Sequence, residues 1–326
     1  MYAKLATDEL KTGEPMEVGM VLCPDDDWAQ RIIPFLWHKG GAWNAHTAGA
    51  LNGEIRDLET RFYLGIVDGR LICNVMTVEW RGVGILGHVF TVPDQRRKGA
   101  CNLVMARQME EFRQRGGRCL YLGTGYDTHP YHIYRGFGFG DAAPESGFMV
   151  YTTIPEFHQQ HFAPADCAAR DAQWRDWPAA NVLTAIKDGP VVRNVGYGAF
   201  GIANFEGAFC TLRADLESGH CCWAKVLETK ANALVGLATL VPDGRWGGGS
   251  YLFDLFVHRS FVGEAHLLTE TLEFPAGKVQ SHIDAEGDAR GALLETLGFE
   301  REATLRSQLR LGDARHDVAA YARLAT

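Results

Sequence analysis

Long apolar runs are what this 326-residue chain most conspicuously lacks. None approaches the roughly 18 residues of a membrane-spanning helix, and the opening MYAKLATDEL has no signal-peptide core. A cytoplasmic protein with no membrane partner is therefore expected. Paired-cysteine spacing is missing too. The eight cysteines, at 23, 73, 101, 119, 167, 210, 221 and 222, form no CxxC and no disulfide framework, and read as reduced, mostly buried thiols. The twelve histidines make no HExxH and no Cys/His ladder, so no metal site is expected. Positive charge is in deficit: 32 Lys and Arg stand against 40 Asp and Glu, a net −8. That balance argues against a nucleic-acid partner, which needs phosphate neutralisation, and leaves room for a cationic substrate.

What is present is an ordinary globular composition, 46% apolar and 22% charged. The length exceeds that of a typical single hydrophobic core, so two domains are expected. In the first half MEVGMVLC (16–23) reads as a strand and DDDWAQRIIPFLWHKG (25–40) as a helix capped by aspartate and closed by glycine. RFYLGIV and RLICNVMTV flank Asp68-Gly69, a strong hairpin signal. GILGHVFTV (84–92) and RCLYLGT (118–124) read as strands, 100–115 has helical spacing, 130–137 reads as a short helix and 146–153 as a closing strand.

The second half repeats this plan. DWPAANVLTA (176–185) echoes DWAQRIIPFL (27–36), the segment 251–272 echoes strand, glycine turn and helix, and LLETLGFE (293–300) echoes IYRGFGFG (133–140). Three landmarks in one order suggest duplication, with the join near 155–165, around Pro155 and Pro164.

The stretch TVPDQRRKGACNLVMARQMEEF (91–112) concentrates three cations and a glycine between a strand end and a helix start. Free first-turn amides plus the helix dipole make such a turn an anion site, and glycine permits close backbone approach. A solvated basic turn is the alternative.

With its neighbours, this stretch resembles the GNAT superfamily of acyl-CoA-dependent N-acyltransferases. Their signature Arg/Gln-x-x-Gly-x-Gly/Ala is met by Arg96-Arg97-Lys98-Gly99-Ala100, with Cys101 departing at the last place, and Tyr-x-x-x-Gly-Phe is met from Tyr134 to Phe139. The resemblance covers about residues 16–153 strongly and the second half faintly. It implies an α/β fold with a mixed sheet, in two GNAT-like domains that are each a three-layer αβα sandwich. Residues 1–158 would be a catalytic N-acetyltransferase domain and 159–326 a degenerate one.

The resemblance further implies acetyl-CoA as acyl donor and direct attack by a small-molecule or peptide amine. The donor would lie along Phe90 and Val92, with its pyrophosphate at Gln95, Arg96, Arg97, Lys98, Gly99, Ala100 and Cys101. Tyr134 would protonate the departing thiolate; packing on a short helix is its other reading. For the base, His88 leads, because alternation puts it on one face with Val92; a hydrogen-bonded strand histidine is its other reading, and Glu79 is the carboxylate alternative. Thr124, Asp127, His129 and His132, in the loop after the fifth strand, would meet the acceptor, with Asp127 otherwise a helix cap.

In the second half Ser260 and Glu264 replace the basic run and Leu294 replaces the tyrosine, which implies no competent site. A non-catalytic acyl-CoA-binding module and an aminoacyl- or peptidyl-transferase on the same fold are the rivals. The acceptor's identity, the acyl chain and oligomerisation stay open.

Overall fold

Two turns with both central residues at positive φ set the register of the first sheet. The computed structural model describes residues 1–325 and divides the chain into two compact units, Met1–Phe157 and His158 onward. In the first unit, β1 (Tyr2–Glu9) and β2 (Pro15–Leu22) pair antiparallel and precede α1 (Asp26–Leu36) and α2 (Gly41–Leu51). Then β3 (Glu59–Val67) and β4 (Arg70–Trp80) meet at Asp68-Gly69, with φ +49° and +75°, and β4 meets β5 (Val83–Thr91) at Arg81-Gly82, with φ +50° and +77°. Such two-residue turns match the right-handed twist of the strands they join. There follow α3 (Ala100–Gln114), β6 (Cys119–Gly123), α4 (His129–Gly136), β7 (Gly140–Asp141) and β8 (Phe148–Thr152).

The sheet runs β1-β2-β3-β4-β5-β6-β8-β7, and β5 and β6 are its parallel neighbours. Helix α3 and Tyr131 and Tyr134 of α4 share one buried core with Tyr63, Val75, Leu86 and Leu120. On the other face α1 and α2 bring Phe35 to Phe90, Trp43 to His88 and His46 to Thr60. The first unit is therefore a three-layer sandwich.

Helix α1 starts where expected, with the Asp25 side chain accepting from the Trp28 amide, but it stops at Leu36, followed by a 3₁₀ turn, Trp37–Lys39. Helix α2 was not anticipated. Its GAWNAHTAGAL begins on one glycine, carries another in its interior and has apolar residues on all sides, so no stripe announces it, and burial rather than amphipathicity holds it.

In the second unit α5 (Phe157–His161) leads to β9 (Cys167–Asp171), α6 (Trp177–Thr184), β10 (Val192–Asn194), β11 (Ala199–Phe200) and α7 (Glu206–Ser218). Next come β12 (Trp223–Thr229), β13 (Leu234–Pro242), β14 (Ser250–Val257), β15 (Gly277–Asp284), α8 (Arg290–Thr296), β16 (Glu300–Leu311) and β17 (Ala314–Ala325). Its sheet, read from β9, is β9-β12-β13-β14-β15-β17-β16. That order repeats β2-β3-β4-β5-β6-β8-β7 strand for strand, with β14 and β15 as its parallel pair. The helix expected within 251–272 is instead a 3₁₀ segment, Arg259–Leu268, kinked at Phe261. The chain has left helical structure before Pro275, which would bar continuation.

Glu79 departs from its sequence assignment as a base. It pairs with Gly84 at the β4–β5 turn, so roughly 20 Å of strand, at about 3.3 Å per residue, separates it from the end of β5. Its side chain is 1% exposed, is bridged by Arg115 and accepts from the Thr77 hydroxyl at 2.6 Å. Arg115 also bridges Glu111, which accepts from the Tyr63 hydroxyl. Glu79 is thus a structural counter-ion. Glu79→Gln should cost about 1–3 kcal/mol by leaving the Arg115 charge under-compensated. Equilibrium unfolding in urea measures it, and an unchanged midpoint would contradict the assignment.

Candidate functional site

Strands β5 and β6 pair over three positions only, Val83 with Cys119, Gly84 with Leu120 and Ile85 with Tyr121. Gly84 makes this joint possible, since a Cβ there would lie 2.6 Å from Glu79 Cγ and 2.8 Å from Leu120 Cδ2. Beyond Ile85 the strands part. Register against β4 slips between Met76–Gly87 and Asn74–Phe90, so His88 and Val89 form a bulge, with His88 at φ +49°. A bulge bends its strand and raises its twist, which carries the end of β5 away from β6. The opening lies at the carboxyl ends of two parallel strands, where α/β sheets receive ligands.

At the end of β5 the chain makes a 3₁₀ turn, Pro93–Gln95, then places Arg97 at φ +65° and Gly99 at φ +93° before α3. Gly99 is the N-cap and no side chain caps the helix, so the amides of its first turn have no intrahelical acceptor. Arg96 and Arg97 are exposed, while Lys98 bridges Glu14 at 3.1 Å. Two buried polar atoms at this end, His88 Nε2 and Gln95 Oε1, make no hydrogen bond. An uncapped amide set, two exposed guanidinium groups and glycine at positive φ suit a diphosphate. Val92 itself is committed, its amide donating to Ile72 at 3.0 Å and its carbonyl accepting from Gln95 at 3.0 Å. Any extended ligand pairing here therefore meets β5 before Val92.

His88 and Val92 do not share a face as alternation predicted. Leu86, Val89 and Val92 pack with the α3 core, whereas His88 faces Trp43 of α2, ring centroids 5.2 Å apart, and Phe90 faces His38 at 4.2 Å. The bulge breaks the period, and Val92 lies past the strand's end. Burial, then the charges of Lys39 and His38, push His88 down to about 3 from an ordinary 6.5. Burial and then His88 do the same to His46, also to about 3. Both imidazoles are neutral at physiological pH.

Tyr134 is 7% exposed on α4, edge-on to Phe139 at 6.1 Å, in the core shared by α3 and β6. The loop after β6 holds the other expected residues. The Thr124 amide donates to Gly147 at 2.9 Å, and Asp127, at φ +55°, bridges His132 Nε2 at 3.0 Å. Asp127 does not cap α4, whose N-cap is Thr128, and His129 is the exposed first residue of that helix. The loop thus gathers Thr124, Asp127, His129 and His132, with Tyr126 stacked edge-on to Tyr131 at 5.3 Å. Sequence reasoning missed His38, Trp43 and His46. His38 lies in 25–40, where a 3₁₀ turn replaces the end of the expected helix, and Trp43 and His46 come from α2, which no periodicity announced.

In the second unit β14 and β15 likewise pair over three positions, Ser250–Leu252 with Lys278–Gln280. No bulge interrupts β14 against β13. A cavity of about 300 Å³ opens beyond the joint, lined by Val257, Val262, Ala265, Leu293, Asp284 and Glu286 among others. Asp284 is spent on the amides of Val191 and Val192. Among the described residues no group of three or more His, Cys, Asp or Glu side chains is placed to hold a metal ion.

Neutral, buried imidazoles make stability depend on pH. The folded values near 3 lie below the unfolded value near 6.5. The unfolded chain therefore takes up protons first, and this part of the stability, complete above about pH 6.5, drains as pH falls towards 3. Two histidine ring signals should stay unprotonated down to about pH 5 by NMR, and His88→Gln should make the acid limb of a stability curve shallower. Normal titration of all twelve rings would refute the burial argument.

No protein-family model and no curated protein sequence matches the chain. Several solved structures are similar to it over about half its length. One is a ribosomal-protein-alanine N-acetyltransferase from Brucella melitensis, at 20% identity and TM-score 0.38, covering 48% of this chain and 99% of that one. Another is an N-acetyltransferase from Staphylococcus aureus Mu50, at 16% identity and TM-score 0.37, covering 49% and 99%. A third is the spermidine N-acetyltransferase from Vibrio cholerae in complex with CoA and spermine, at 16% identity and TM-score 0.35, covering 48% and 95%.

Proposed function

We propose that the first unit is a GNAT-type N-acetyltransferase that moves an acetyl or short acyl group from CoA to an amine, and that the second is a degenerate copy without catalysis. The observation that carries this reading is the parting of β5 from β6 beyond Ile85, with the uncapped Gly99 turn at the end of β5. The parting leaves one edge of β5 for an extended pantetheine arm, and the turn meets the diphosphate with amides, Arg96 and Arg97.

The thioester supplies the acyl group, and the chain's residues do the rest. Tyr134 offers a hydroxyl to the sulfur as negative charge gathers there, worth roughly 10²–10⁴ in rate for a well-placed acid. Neutral His88 accepts the attacking amine's N–H through Nε2. Its proton affinity is too low to keep that proton, which passes to solvent. Thr124, Asp127, His129 and His132 line the acceptor's approach. In the second unit Glu264 opposes phosphate, Leu294 carries no proton and β14 has no bulge.

Gly99→Val forces a β-branched residue to φ near +93° and fills the approach to the turn. Calorimetry should give acetyl-CoA affinity at least about tenfold weaker, with one CoA per wild-type chain. Unchanged affinity, or two CoA per chain, would overturn the reading.

Tyr134→Phe should bind acetyl-CoA normally and lose on the order of 10² in both kcat and kcat/KM in a thiol-release assay against pooled amines. The alkaline rise of the pH–rate profile should follow the acceptor's own pKa from one amine to another, and a fixed inflection near 6.5 would assign the base role to a normally titrating histidine. Binding of CoA with no thiol release from any amine would favour a non-catalytic binding module.

A further inference from the structure

We propose that the acceptor of the first unit is an α-amino acid, whose carboxylate is held by Lys39 while its amine meets His88. This assignment of the acceptor's class rests on the proposed function. Lys39 is the last residue of the 3₁₀ turn Trp37–Lys39 after α1 and reaches β5, where its Nζ donates to the carbonyl of Val89 at 3.4 Å. Asn74, fully buried on β4, donates from Nδ2 to the carbonyl of His88 at 2.9 Å. The two residues of the bulge are thus each pinned by a side chain, with an ammonium at Val89 and an imidazole on His88.

That ammonium is half-buried and uncompensated. Among the described residues no carboxylate pairs with Lys39, and burial lowers its affinity for a proton with no acid opposing the effect. The other lysines of the unit differ: Lys4 and Lys98 bridge Glu17 and Glu14, and Lys11 is exposed. The Val89 carbonyl takes one of the ammonium's N–H donors, leaves the others, and brings no charge to offset the cation. A partly desolvated charge that the fold leaves unpaired favours a ligand of opposite sign. One residue away, His88 Nε2 is buried without a hydrogen bond, and the neutral imidazole suits an N–H donor. An α-amino acid offers carboxylate and amine from one carbon. A polyamine or plain alkylamine would leave the Lys39 charge unpaired or set a second cation against it. The acidic balance of the whole chain therefore does not fix the sign of this face.

The amino acid reacts as its free amine, after its ammonium has lost a proton to solvent. The nitrogen bonds to the thioester carbon and the C–S bond breaks. The departing thiolate takes the Tyr134 proton, which solvent replaces, and the nitrogen gives up its surplus proton through His88 to solvent. The products are CoA and an N-acyl amino acid. The carboxylate is unchanged through these steps, so Lys39 acts on binding, and its contribution belongs mainly in KM.

The test measures thiol release by the full-length protein at saturating acetyl-CoA for the common amino acids, each beside its carboxamide and its decarboxylated amine. The best amino acid should exceed both partners in kcat/KM by at least about tenfold, chiefly through KM. Lys39→Met should cut that preference by at least about tenfold, and Lys39→Arg should keep most of it. A merely structural Lys39 would change all three compounds by one factor and leave the preference intact. Carboxamides or decarboxylated amines used as well as the amino acids would overturn the carboxylate site while acetyl transfer stands, even if Lys39→Met fails to fold. If no amine releases thiol, the proposed function falls, and calorimetry of the same amino acids on wild type and Lys39→Met decides the carboxylate site by itself. Binding to wild type that weakens at least about tenfold in Lys39→Met would uphold it. No binding, or equal binding to both proteins, would overturn it.

Discussion

The three-residue parallel joint between β5 and β6 is the constraint from which the rest of the first unit follows. It is short for two reasons that lie on β5 itself. Gly84 lets the strands meet where a side chain would strike Glu79 and Leu120, and the bulge at His88 then turns the strand away. A sheet that closed fully here would satisfy its own backbone and leave no edge for a ligand. One that never met would lose the continuity that anchors α3 and α4 on a single core. The joint holds the fold together at one end of the strands and opens it at the other.

Charge around the opening is arranged locally, against the acidic balance of the whole chain. Arg96 and Arg97 are exposed at the turn, Arg96 with its Nε donating to the Thr91 carbonyl at 3.1 Å, while Lys98, Arg70 and Arg107 are paired with Glu14, Asp94 and Asp8. On the opposite face, Lys39 donates to the carbonyl of Val89 at 3.4 Å, and burial lowers its affinity for a proton. Burial first, then its charge and that of His38, keep His88 neutral. Buried Glu79 is instead a counter-ion to Arg115, far from the opening. An anion is thus favoured at one place and a neutral hydrogen-bond acceptor at another, with a sheet between them.

The second unit separates topology from chemistry. It repeats seven strands in the same order and sense, down to a parallel joint of three residue pairs. Its β14 runs on without a bulge, its turn carries Glu264 where the first unit has cations, and the following segment is a kinked 3₁₀ stretch with no α-helical N-terminus. Strand order survives such changes because it depends on alternating apolar residues, whereas an anion site depends on a few amides and charges.

The sequence by itself determined the hairpin at Asp68-Gly69, the Asp25 cap, the amphipathic α3 and the glycine turn before it, because each depends on neighbours within a few residues. Repeated landmarks likewise carried the doubled order of elements, since both halves draw on one local grammar. Tertiary structure alone decided which face His88 occupies, because a bulge adds a residue without any mark in the strand's composition. It also decided that Glu79 is a counter-ion and that α2 forms and sets Trp43 against His88 of β5. Those facts depend on residues tens of positions apart being packed together, and pairings over that range are set by the sheet, whose register no single segment contains.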